Sequence, residues 1–246
     1  YSRINALEPS DYTSGAPEAT VSPTAKSLLA ALGATETVVS NGVVTGVSQL
    51  VRGLGDTDQS VFGSLGQPSF ETTLNTANFS EVTVIDVPAN TVVEKPIVVT
   101  SYAPSGQAVF PRVLVRAGDN SQFSIVEHQS AGGPSLMVPF WEIQLGGGAH
   151  IEITTVQELP EDAWLLSVVN SQIGRDATLD SFCAALGGYY ARVVTNTSLL
   201  ENGGSSNLGA AYFARGQQMH DFRTLQHHVG KKTSSDLLFK GAVDDF

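Results

Sequence analysis

A short pattern recurs five times along this chain at a nearly constant distance, and it constrains the fold more than any other feature. Each copy begins with a small residue and then alternates variable and apolar positions, which is typical of a strand with one buried face. The apolar anchors of the copies are Phe123, Ile151, Leu179, Leu208 and Leu237, which are separated by 28, 28, 29 and 29 residues. A repeating unit of this length cannot bury its apolar face alone. We therefore predict that the five anchors form one continuous buried stack.

The spacing of the copies predicts an all-β fold, a parallel β-helix with coils of about 28 residues. A β-sandwich is the alternative, because it also has many short strands, but it gives no reason for so regular a spacing. Glycine-rich stretches between the copies predict the corners of the coils. They are Ala131–Gly133, Gly146–Gly148, Gly187–Gly188 and Gly203–Gly204. We expect the β-helix core to span residues 36–246.

Residues 1–35 are expected to form an extended lead-in followed by a short helix. Ser22 suits the N-cap of this helix and Gly33 suits its C-terminal cap. Next, Asn41-Gly42 lies between two β-branched runs and predicts a hairpin with a type I′ turn. A second short helix is predicted over Phe70–Phe79, where apolar residues fall on one helical face.

The composition narrows the possible partners. A net charge of −11 with no basic cluster argues against a nucleic-acid partner. The one cysteine, Cys183, rules out a disulfide within the chain, and it is expected to be a buried structural thiol. No apolar stretch reaches transmembrane length and the first residues lack a signal-peptide layout, so we expect no membrane partner and a cytoplasmic location. Because the chain does not begin with methionine, we expect it to be a piece of a longer protein.

Two acidic residues were considered as a site. Glu152 and Asp180 are 28 residues apart and should stack on adjacent coils, where paired carboxylates could bind Ca²⁺ or act on glycans. Both should point outward, however, as solvated charges normally do. The next positions in this row are expected to be Gly209 and Leu237, so the acidic row should stop after two members. We assign neither residue a catalytic role.

The late histidines do not predict a metal site either. His227 and His228 should point to opposite faces of one strand, and His220 could approach them only through a turn. We expect one of them to be interior and another to lie on the surface. The sequence thus predicts no catalytic, cofactor-binding or metal-binding residue.

A series of short motifs in the last third of the chain resembles a known family. In order, they are Tyr190-Ala-Arg192, Asn207-Leu-Gly209, Gly216-Gln-Gln218, Asp221-Phe-Arg-Thr224, His227-His228 and Ser234 leading to Phe239-Lys-Gly241. They resemble the shared core of the SufB/SufD family, from the SUF iron–sulfur cluster assembly system. The resemblance implies a right-handed parallel β-helix, in agreement with the 28-residue period. It also implies a non-catalytic scaffold, in which a SufB–SufD pair and the SufC ATPase assemble the cluster while this segment binds no cofactor.

The resemblance is closer to SufD than to SufB. Where SufB proteins carry a cysteine in the β-helix, the matching residue here is Thr197. The family's interface cysteine and histidine, and its helical C-terminal domain, lie downstream of the segment matching Lys240-Gly241. The chain ends at Phe246, so no family catalytic role is carried over.

The final coil is expected to expose unpaired strand edges. Its candidate partner-interface residues are Leu237, Leu238, Phe239 and Lys240. We expect them to pair with a SufB-like paralogue or to mediate self-association.

Two other functions remain open from sequence. One is a secreted β-helix protein, either a polysaccharide-active enzyme or an adhesin, which should carry a secretion signal and a row of acids or aromatics on one exposed flank. The other is a free-standing metal-binding module, which the histidine geometry disfavours.

Overall fold

The computed structural model is a β-solenoid of about six turns, with coils of about 28 residues, and it confirms the predicted fold class. The structure describes residues 3–14, 27, 30–32, 38–40, 43–45 and 49–244. Within these ranges the strands form a ten-stranded sheet A and an eight-stranded sheet B. We call the space between the inner faces of the two sheets the bore.

Each turn of the solenoid contributes one main strand to each sheet. Sheet A contains β1 (Thr13–Ser14), β4 (Val51–Gly53), β5 (Thr83–Val87), β7 (Gln107–Val109), β8 (Arg112–Ala117), β10 (Leu136–Met137), β11 (Phe140–Leu145), β13 (Trp164–Ile173), β15 (Tyr190–Leu199) and β17 (Met219–His228). Sheet B contains β2 (Val38–Ser40), β3 (Val43–Thr45), β6 (Ile97–Ala103), β9 (Gln122–Ala131), β12 (His150–Glu158), β14 (Thr178–Ala185), β16 (Ser205–Arg215) and β18 (Ser234–Asp244). All pairs are parallel except β2–β3 and β4–β5.

The predicted anchor stack holds for three coils and then breaks. Ile151 pairs with Phe123 on one side and with Leu179 on the other. Leu179 then pairs with Ser206, whereas Leu208 pairs with Ser181. Leu237 pairs with Leu208 but is 39% exposed, so the prediction of one continuous buried stack was wrong.

The cause of the break is a short corner. The step between neighbouring coils is 28 residues at Gln157–Ala185 but 26 at Trp164–Tyr190. The corner after β14 is therefore two residues shorter than the corner after β12. Since side chains alternate between faces, a shift of two keeps Leu208 facing inward but places it in the neighbouring row.

The predicted glycine-rich corners all lie between strands. At Gly203 the backbone has a φ of +79°, a left-handed conformation that favours glycine. A Cβ atom at this position would also lie 1.9 Å from Asp176 Oδ1, on the preceding coil. Glycine at this corner thus permits both the turn and the close stacking of the coils.

The lead-in contacts the solenoid where the structure describes it. Leu7 is buried in a cluster with Leu136 and Trp164, and β1 pairs with β7. The strands of the predicted hairpin pair in antiparallel fashion, but its Asn41-Gly42 turn lies outside the described residues, as does most of the predicted helix Ser22–Gly33. The division into residues 1–35 and 36–246 stays a prediction.

The second predicted helix is confirmed as α1 (Phe70–Asn78). Ser69 caps it, because its Oγ accepts a hydrogen bond from Thr72 N at 3.2 Å. Asn75 fastens the helix to sheet A, since its Nδ2 donates to Pro111 O at 3.0 Å and to Val138 O at 2.7 Å. None of the helices formed by the described residues is long and apolar enough to cross a membrane.

A buried ion pair holds the loop before α1 against the outer face of sheet A. Arg112 Nη2 lies 2.5 Å from Glu142 Oε2, and both side chains are almost fully buried. Glu142 also accepts hydrogen bonds from Gly63 N at 2.9 Å and Leu65 N at 3.0 Å. Burial lowers the pKa of Arg112 to about 10, and the charge of Glu142 opposes that shift. Residues 61–79 thus cover part of the outer face of sheet A, which leaves the bore and sheet B to be considered for function.

Candidate functional site

The bore contains a buried carboxyl group. Glu127 on β9 accepts hydrogen bonds from Gln129 Nε2 at 2.9 Å, Trp141 Nε1 at 3.2 Å and Thr155 Oγ1 at 3.1 Å. Burial raises the pKa of Glu127 above its usual value, although these three hydrogen bonds oppose the shift. The sequence analysis did not single out this residue, because one acid in an alternating strand carries no signal of its direction.

Cys183 faces the same part of the bore. It follows Glu127 and Thr155 in one inward-facing row across β9, β12 and β14. Burial raises the pKa of its thiol to about 12, and the charge of Glu127 adds to the shift. A thiol with so high a pKa is a poor nucleophile at neutral pH, because the thiolate is the reactive form. The predicted role as a structural thiol agrees with this position.

Thr197, the residue matched to the SufB cysteine, also lies inside the bore. It is 1% exposed on β15 and its hydroxyl accepts a hydrogen bond from Ser171 Oγ at 3.0 Å. The matched position is therefore an interior one.

The three late histidines all lie on β17 but bind separate partners. His220 is half-buried and its Nε2 lies 3.0 Å from Phe213 O. Both ring nitrogens of His228 contact hydroxyl groups, those of Thr233 and Ser235. His227 is exposed. These histidines do not belong to a metal-ligating group among the described residues, as the strand geometry predicted.

The motifs that carry the family resemblance form one polar cluster on the outer face of sheet A. Tyr190 Oη donates to Asp221 Oδ2 at 2.6 Å. Arg192 Nε donates to the same carboxylate oxygen at 3.0 Å, and its Nη1 donates to Glu71 Oε1 of α1 at 2.9 Å. Burial disfavours the charge on Glu71, yet its hydrogen bonds, that from Arg192 foremost, lower its pKa below the usual value. The motif residues thus join α1 to the strands β15 and β17.

Aromatic side chains fill the C-terminal part of the bore. The ring of Phe222 on β17 lies 5.4 Å from that of Phe239 on β18 and 5.7 Å from that of Tyr212 on β16. A Cβ atom at position 241 would lie 2.0 Å from the Tyr212 ring. Glycine at position 241, part of the Phe239-Lys-Gly241 motif, therefore leaves room for this ring.

The predicted partner-interface residues lie on β18, the last strand of sheet B. Leu237 and Phe239 face the end of the bore, while Leu238 and Lys240 lie on the outer face. Leu238 is 58% exposed. Among the described residues β18 pairs with β16 alone, so its other edge carries unpaired backbone groups.

The outer face of sheet B carries a longer polar row than the sequence predicted. Glu152 pairs with Asp180 as expected, but Asp180 pairs with Asn207 and Asn207 with Asp236. The expectation that Gly209 and Leu237 would end the row was wrong, because the short corner after β14 shifts the register. His150, two residues before Glu152, joins this row through Asp180: its Nε2 lies 2.8 Å from Asp180 Oδ2.

Comparison with known proteins identifies the family. The family model described as "SUF system FeS cluster assembly, SufBD core domain" matches residues 99–246. The chain belongs to the SufBD family. It is 27% identical over 218 residues to an iron–sulfur cluster assembly SufBD family protein of Mycobacterium leprae, covering 83% of this chain and 53% of that protein. A relative from Mycobacterium bovis with the same family name is 26% identical over 169 residues, or 68% of this chain and 42% of that protein. The chain thus spans about half the length of the curated relatives it matches.

Proposed function

We propose that this SufBD-family chain is a SufD-like scaffold component of cytoplasmic iron–sulfur cluster assembly. In this proposal it pairs with a SufB-like paralogue, works with a SufC-like ATPase and catalyses no reaction itself. The match of residues 99–246 to the SufBD core domain supports the assembly role. The observation that carries the pairing is the edge of β18, which has no neighbouring strand among the described residues.

The side chains near this edge suit a protein interface. Leu225, Leu238 and Val243, on the last coil, are all more than half exposed. Exposed apolar side chains beside an unpaired strand edge favour association with another chain.

The SufD-like assignment rests on the bore. Thr197 stands where SufB proteins carry a cysteine, and its hydroxyl is not a thiolate ligand. Cys183, the one cysteine, has a raised thiol pKa in the bore. Iron–sulfur clusters are generally held by cysteine thiolates, so a chain of this kind contributes as a structural partner.

The secreted polysaccharide-active protein is the less favoured alternative. It called for a row of acids on one flank, and Glu152, Asp180 and Asp236 do lie in one outer row. The family match favours the scaffold, because it covers the same strands that carry this row.

Sedimentation velocity with a SufB-like paralogue tests the pairing. We expect the wild-type chain to form a complex with the paralogue and Leu238→Lys to weaken it by at least about tenfold, because a lysine would place a strongly hydrated charge in the contact. Val92→Lys is the matched control, since Val92 is 64% exposed but lies on an early coil. A wild-type chain that forms no complex, or a Leu238→Lys variant that pairs as tightly as the control, would contradict the proposal.

A further inference from the structure

A histidine and two carboxylates converge on the outer face of sheet B, away from the bore and from the last coil edge. His150 and Glu152 are two residues apart on β12 and therefore lie on the same face. Asp180 is the direct neighbour of Glu152 on β14. One ligand atom from each of the three side chains lies within 4.8 Å of the others. Within the described ranges no other His, Cys, Asp or Glu residues form a group of three or more with this spacing.

The surrounding contacts orient this group. Asp180 Oδ1 accepts a hydrogen bond from Asn207 Nδ2 at 2.7 Å, while Asp180 Oδ2 lies 2.8 Å from His150 Nε2. Asn207 thus holds the carboxylate from the side opposite to His150, as partners of metal-binding carboxylates do. The carboxylate of Glu152 has no hydrogen bond or ion pair with any described residue.

The charges of the group favour a cation. Glu152 and Asp180 are carboxylates at directly paired positions of adjacent strands, an arrangement that destabilises a sheet unless the charge is compensated. Asp236 adds a third carboxylate to the same surface groove, and the chain as a whole carries a net charge of −11. A bound divalent cation would offset the repulsion within this row.

The ligand types select the class of ion. Imidazole nitrogen suits zinc, iron, nickel and copper, whereas calcium and magnesium prefer shells of oxygen alone. Ligand atoms that bind one such ion at about 2.1 Å can lie up to about 4.2 Å apart. The 4.8 Å limit of the observed group is close to this span, so a small rotation of the exposed Glu152 side chain suffices.

We propose that His150, Glu152 and Asp180 bind one divalent first-row transition-metal ion on the outer face of sheet B. Water molecules complete its coordination. The ion joins β12 to β14 and therefore stabilises the contact between two successive coils. This inference does not rest on the proposed scaffold function, because its ligands lie outside the strand edge that carries the pairing.

Titration of the metal-free chain with Co²⁺ tests the site. We expect one equivalent to bind, with visible absorption bands, and Zn²⁺ to displace it while Ca²⁺ does not. His150→Ala and Glu152→Gln should each weaken binding by about tenfold or more, since each removes one of three protein ligands. The unfolding temperature should rise on addition of Zn²⁺ in the wild-type chain and not in these variants.

Two control variants separate this site from adventitious binding. His227→Ala removes an exposed histidine on β17, and Glu94→Gln removes an exposed carboxylate elsewhere on the surface. Both should bind Co²⁺ as the wild-type chain does. The proposal is overturned if the wild-type chain shows no saturable binding, or if the controls lose as much affinity as His150→Ala and Glu152→Gln.

Discussion

Truncation of leucines at two depths in the bore tests the corrected register. Leu179 is 2% exposed and pairs with Ile151 in the intact part of the anchor stack. Replacing a fully buried leucine with alanine removes its transfer free energy and leaves a cavity, so Leu179→Ala should lower the free energy of unfolding by about 2–5 kcal/mol. Leu237 is 39% exposed at the last coil and can relax toward solvent. Leu237→Ala should therefore cost only about 1 kcal/mol.

Urea unfolding followed by tryptophan fluorescence measures both changes, because Trp141 and Trp164 lie in the solenoid core. The two variants should shift the midpoint by clearly different amounts with an unchanged denaturant slope. Glu152→Ala, on the outer face, is the control and should change stability by no more than about 0.5 kcal/mol in the presence of a metal chelator. Equal losses for Leu179→Ala and Leu237→Ala would refute the register, since they would require one uniformly buried stack.

Three further predictions concern the titratable groups. Because burial raises the pKa of Glu127, the wild-type chain should lose stability as the pH rises from about 4 to about 8, and Glu127→Gln should remove part of this loss; denaturation midpoints with parallel pH dependence would contradict it. The Cys183 thiol, whose pKa is raised to about 12, should react with a disulfide reagent far more slowly in the folded chain than in the unfolded chain, and equal rates would place it in solvent. Arg192→Ala should cost about 3–5 kcal/mol in thermal or chemical unfolding, because it leaves the buried carboxylate of Glu71 uncompensated; a loss below about 1 kcal/mol would refute this role.

The sequence predicted the solenoid because strands of equal length recur with a constant step. The same reasoning failed at Leu208, where the corner after β14 is two residues shorter and the strand itself retains its alternation. A change in corner length leaves the apolar pattern intact, so anchors can be matched to the wrong rows without any conflict in the sequence. The error then passed to the acidic row, where Asn207 was mistaken for an unrelated residue.

The polar contacts of the structure were harder to predict than its strands. Glu142 binds Arg112 across one coil step, but it also binds backbone groups at Gly63 and Leu65, which are nearly 80 residues away. Such contacts have no period, and a charged residue in a strand gives no sign of its distant partner. His150 was missed as a candidate ligand for a related reason: its alternation with Glu152 was visible, but its approach to Asp180 depends on the rotamers of both side chains.

The measurement that tests the central claim most directly is hydrogen exchange of the chain alone and with a SufB-like paralogue. Backbone amides on an unpaired edge exchange readily and should become protected once a partner covers them. If the chain is a scaffold that pairs through its last coil, protection should appear in Met219–His228 and Ser234–Asp244 and leave α1 unchanged. Protection confined to α1 and the loop before it, or no change in the last coil, would contradict the account.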